Sequence, residues 1–130
     1  PFAKKEIATR VNFKHCVGRF SLPIQDASRV PFYEIDSVDP LEMHVLRIGD
    51  IAIATNPFEL YLDYGVRIKA RSPALSTFLM QLSCQASGYL PTEKGVQGGG
   101  YSADKFLVGP DGGQILVNET VQRLQALWER

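Results

Sequence analysis

Apolar and polar positions alternate most cleanly between Met43 and Thr55. Gly49-Asp50 breaks this stretch into two apolar arms and supplies a two-residue turn, with glycine where a positive φ is needed. The resulting hairpin pairs Ile48 with Ile51, Leu46 with Ile53 and His44 with Thr55 on one face. Val45/Ala54 and Arg47/Ala52 share the other, where the two small alanines let a helix approach. Upstream, Arg10–Phe13 and Phe20–Ile24 alternate as strands, with Cys16-Val17-Gly18 as the turn between them. Pro23 lacks a ladder donor and marks the second of these as an edge.

Downstream the period changes. Ile51–Thr55 is a short, β-branched apolar run that reads as a covered strand leading straight into a helix. Asn56 suits the N-cap, and Pro57 the first helical position, where its missing N–H is no loss. Phe58, Tyr61, Leu62 and Gly65 form one apolar row, and Leu60, Tyr64 and Ile68 a second. This predicts a buried helix over 57–70, stopped by Ser72-Pro73. Thr77–Cys84 reads as another covered strand, closing a β-α-β unit. Val117, Val121, Leu124 and Trp128 predict a last helix over 114–129, capped by Asp111 with Gln114. The expected fold class is α/β, a mixed β-sheet with these two helices packed on it.

Residues 25–42 show no period. Their acids, Glu34, Asp36, Asp39 and Glu42, are not at calcium-loop spacing and read as a solvated connection. Fourteen basic residues cancel fourteen acidic ones, so charge points neither to nucleic acid nor to a polybasic membrane contact. No apolar run approaches the ~20 residues of a membrane-spanning helix. Cys16 and Cys84 lack metal spacing and read as buried free thiols, and His44 reads as a plain strand histidine.

The candidate chemistry gathers where strands end. Glu59, three residues after Asn56, has two readings: the reciprocal half of a capping box, or a carboxylate at the sheet rim where open α/β folds bind ligands. Tyr89 follows the next strand, so a parallel pair brings both side chains to one edge. Tyr101 comes after Gly98-Gly99-Gly100, a loop able to fold back over that edge. Those glycines lack a Walker lysine, which leaves anion binding without a motif.

Ile48-Gly49-Asp50-Ile51-Ala52-Ile53 through Asn56-Pro57-Phe58-Glu59 resembles a segment of the neutral/alkaline ceramidases, in which a strand ends in a Pro-Gly-Glu-Phe-like turn. Gly88-Tyr89-Leu90-Pro91-Thr92 is similar to that family's Gly-Tyr-Val-Thr-Thr motif, and Tyr101 lies twelve residues after Tyr89, as the family's second tyrosine does. Gly109-Pro110-Asp111-Gly112-Gly113 before an apolar helix resembles the next stretch of bacterial ceramidase-like proteins. The likeness spans residues 43–130; residues 1–42 are only broadly compatible.

The resemblance implies a zinc-dependent amidohydrolase acting on an N-acyl amide or lipid-like substrate, in a secreted or periplasmic setting. Glu59 and Tyr89 would be zinc ligands, and Tyr101 would contact the reacting amide. Phe58 in place of glycine, Leu60 in place of an aromatic, and Leu90-Pro91 in place of Val-Thr imply a divergent branch with altered substrate. The family's two histidine ligands lie upstream of the matched region, and neither His15 nor His44 sits in a matching context. The chain, which starts at Pro1, is therefore expected to be one domain, the C-terminal portion of a catalytic domain. Alone it would neither hold zinc tightly nor hydrolyse amides. An apolar surface left where the missing N-terminal half belongs would favour self-association. The alternative is a non-catalytic binding or assembly module that keeps the fold.

Overall fold

A computed structural model of the chain describes residues 9–25 and 40–129. Its centre is a four-stranded mixed sheet of order β1-β2-β3-β5. The strands are β1 (Phe13–Phe20), β2 (Leu41–Ile48), β3 (Ile51–Thr55) and β5 (Ser76–Met80). β1, β2 and β3 pair antiparallel, whereas β3 and β5 run parallel across the helical connection. The hairpin register is the one its alternation predicts, Ile48 opposite Ile51 and Leu46 opposite Ile53, and Gly49 takes a φ of +61° at the turn. A second, two-stranded parallel sheet joins β4 (Glu59–Leu60) to β6 (Tyr89–Leu90). Helices α1 (Leu62–Arg71) and α4 (Pro110–Trp128) flank the short α2 (Glu93–Gly98) and α3 (Tyr101–Asp104) in sequence.

One face of the large sheet is core. Leu41, Met43, Val45, Ala52 and Ala54 are buried with Val117, Val121 and Leu124 of α4, the predicted stripe. Burying each large apolar side chain stabilises the fold by about 1.5–3 kcal/mol. Trp128 is half-buried, with the Arg47 guanidinium 4.4 Å from its ring centroid. Tyr64 joins α1 to α4 and donates its hydroxyl to the carbonyls of Pro91 (3.0 Å) and Pro110 (3.3 Å). The opposite face carries Phe13, Val17, Ile48, Ile51, Phe78 and Met80 as exposed apolar side chains.

Several local expectations are corrected. Residues 13–20 form one strand rather than two with a turn at Cys16-Val17-Gly18. Gly18 lies mid-strand opposite Met43, and its missing side chain leaves room for Arg123 of α4. Ile24 makes only an isolated bridge to Val108, so the edge strand is β1. Helix α4 begins at Pro110, its first-turn proline, after Gly109, and not through an Asp111 cap. Glu42 belongs to β2 instead of a connection, whereas Glu34, Asp36 and Asp39 lie outside the described residues. The cysteines are free, but Cys16 is half-buried and Cys84 exposed.

Candidate active-site rim

The joint after β3 is not a helix start. Asn56 Oδ1 accepts from the Phe58 N–H at 3.1 Å, which turns the chain instead of capping a helix. Phe58 is fully buried and anchors the turn. The Glu59 N–H then donates to the Gly88 carbonyl (2.8 Å) and the Tyr61 N–H to that of Leu90 (3.3 Å). Leu60 N–H donates to Gln81 Oε1 at 2.9 Å. These partners commit residues 59–60 to β4, so α1 starts at Leu62, and the expectation of a helix from Pro57 with Glu59 in its cap is overturned.

The same ladder assembles the rim. Glu59 pairs with Tyr89, and Leu60 with Leu90. Because side chains alternate along a strand, the leucines go to the core and the carboxylate and phenol share the outer side. Desolvation, then the neighbouring Glu59 carboxylate, push the Tyr89 phenol above its ordinary pKa. It is a proton donor at neutral pH.

Tyr101, at the start of α3, meets Tyr89 edge-on, with ring centroids 5.9 Å apart and planes at 83°. Gly99 and Gly100, with φ of +72° and +107°, turn the chain back to bring it there. All three residues singled out from sequence therefore meet. Two neighbours carried no expectation. Lys105 Nζ lies 4.6 Å from the Tyr101 ring centroid, and Tyr61 OH contacts Ser102 Oγ at 2.7 Å. The four-residue step from Tyr101 to Lys105 was the available signal. A groove of about 400 Å³ beside Leu60, Tyr61, Val66 and Leu79 contains none of the three site residues.

Glu59 and Tyr89 offer two oxygen donors side by side, whereas zinc sites normally use three or four protein ligands. The pair fits half of such a set. Among the described residues, the one cluster of three His, Cys, Asp or Glu side chains at ligand spacing lies elsewhere, at Glu42, His44 and Cys84.

No family model matches the chain, and no curated protein does. Solved structures do. A structure described as a ceramidase complexed with C2 superposes with a TM-score of 0.62 at 20% identity, covering 68% of this chain. A neutral ceramidase from Pseudomonas aeruginosa gives a TM-score of 0.56 at 20% identity over 70%. The chain has the fold of a segment of ceramidase. It spans 15% and 16% of the length of those two ceramidases. The α/β class and the ceramidase resemblance drawn from residues 43–130 agree with this at the level of fold.

Proposed function

We propose that this chain supplies the carboxylate-and-phenol portion of a ceramidase-like zinc amidohydrolase site. Glu59 and Tyr89 are two of the zinc ligands, and Tyr101 lines the substrate side. The nitrogen ligands come from polypeptide outside the described residues, as the C-terminal portion of a catalytic domain requires. When bound, zinc supplies Lewis acidity toward the carbonyl of the scissile amide. Glu59 stands beside the Tyr89 phenol in the ladder, and Tyr101 presents a hydroxyl donor to oxygen charge that develops on the amide. The substrate class is an N-acyl amide with a lipid-like chain. The observation that carries this reading is the pairing of Glu59 with Tyr89, with Tyr101 edge-on to the phenol.

The test is hydrolysis of a short-chain N-acylsphingosine by the complete open reading frame containing this chain, with zinc. Glu59→Gln is expected to lower turnover at least ~100-fold. Turnover unchanged by Glu59→Gln would exclude the reading. The exposed apolar face of the large sheet favours a second reading, a binding or assembly module without chemistry. A complete, folded protein with no Glu59-dependent amide hydrolysis would support it.

A further inference from the structure

On the exposed face of the large sheet, three side chains from separate segments converge. Glu42 and His44 project from β2, and Cys84 comes from the loop after β5. One ligand atom from each lies within 4.8 Å of the others. Tetrahedral zinc with bonds of 2.0–2.3 Å sets its ligands roughly 3.3–3.8 Å apart, so a small side-chain rotation closes the set.

The surroundings prepare each donor. Arg19 Nε and Nη2 both donate to Glu42 Oε2, at 2.9 and 2.6 Å, and leave Oε1 facing His44 Nε2 at 3.0 Å. His44 Nδ1 meets His15 Nε2 at 2.9 Å, and the two imidazoles stack with centroids 5.1 Å apart. His44 Nε2 donates to the Glu42 carboxylate, so zinc binding would displace that hydrogen and leave Nδ1–H to donate to His15 Nε2, as outer partners of zinc-bound histidines accept. Thr55 Oγ1 accepts the His44 backbone N–H at 2.9 Å and lies 3.7 Å from Cys84 Sγ. Its own hydrogen is therefore available to a thiolate. Cys84 is held at a φ of +71°, uncommon for a non-glycine residue.

We propose that Glu42, His44 and Cys84 bind zinc, with His15 as the positioning partner of His44. Thiolate, imidazole and carboxylate together favour zinc over magnesium or calcium, which prefer all-oxygen shells. Three protein ligands leave a fourth position for water or an exogenous donor. The site uses none of Glu59, Tyr89 or Tyr101, and it departs from the expectation that the chain alone does not hold zinc.

The experiment titrates the full 130-residue chain with Zn²⁺ against a chromophoric chelator, and with Co²⁺ while recording its absorption spectrum. One tight equivalent and a thiolate-to-cobalt charge-transfer band are expected. Cys84→Ser should abolish the band and weaken zinc binding at least ~100-fold, and His15→Ala should keep the band and weaken binding about 10–100-fold. Cys16→Ser should leave both readouts unchanged. No thiolate band in the wild-type chain overturns the site, whatever the variants do. So does zinc binding that survives Cys84→Ser, or that Glu59→Gln removes.

Discussion

Tyr89 is linked to Glu59, the residue opposite it in the two-residue β4–β6 ladder, whose carboxylate helps raise the phenol's pKa. The ladder rests on backbone bonds and on the burial of Leu60 and Leu90, so it does not depend on that link. Tyr89→Phe is therefore expected to leave the thermal unfolding midpoint nearly unchanged. If the proposed function holds, in the complete protein it should lower N-acyl amide turnover at least ~100-fold, because the proposed zinc ligand is lost. A circular-dichroism melt beside an amide-hydrolysis assay checks both halves. A large drop in melting temperature would make Tyr89 a structural residue instead.

Tyr101 is 67% exposed and touches Tyr89 only by its ring edge. Tyr101→Phe keeps that ring contact and removes the hydroxyl alone. Stability should change by less than ~0.5 kcal/mol, as for surface substitutions. Turnover should fall about 10²–10³-fold if the hydroxyl meets developing oxygen charge. The fall should appear in kcat rather than KM, since such a contact forms mainly in the transition state.

The hairpin was legible because its signals are local: a period of two and a Gly-Asp turn between residues that pair with each other. The joint at Asn56–Glu59 was not, because every local rule there announces a helix. What overrides them is a ladder to Gly88–Leu90, about thirty residues on, which no window around Pro57 contains. Gly18 misled for the same reason, since its place mid-strand opposite Met43, beside Arg123 of a distant helix, is set by pairing outside any local window. The expected approach of the two strand ends did not depend on the helix expected from Pro57, since it needs only that β3 and β5 run parallel, as they do. The Glu42–His44–Cys84 cluster left no sequence signature, since its ligands reach one place only through sheet pairing and a loop return.

Phe58 carries the joint. It is fully buried in the core between β3's end and β4. Phe58→Ala is expected to cost about 3–5 kcal/mol, from lost burial and the cavity left behind. Denaturant unfolding measures that loss. Phe58→Gly, which restores the residue typical of the ceramidase motif, should not rescue it, because here the ring fills core space.

Tyr64 makes stability depend on alkaline pH. Burial is the main cause that raises its phenol above the ordinary value; Asp111 and Asp63 add to it, and Arg67 opposes. A phenol with a raised folded-state pKa binds its proton more tightly when folded. Its contribution is therefore complete below the unfolded value of about 10 and is lost as pH rises through the higher folded value. The hydroxyl also meets its two carbonyl acceptors only while protonated. Tyr64→Phe should cost about 1 kcal/mol at pH 7 through the lost hydrogen bonds. Above pH ~10 the gap to wild type should narrow, because the variant has no phenol to ionise. Gly113→Ala attacks the same contact from α4, where a methyl group would collide with the Tyr64 ring. It should destabilise by about 1–3 kcal/mol. In the Tyr64→Leu background, which removes the ring, Gly113→Ala should cost clearly less. Equal cost in both backgrounds would show that the tyrosine does not set the requirement for glycine at 113.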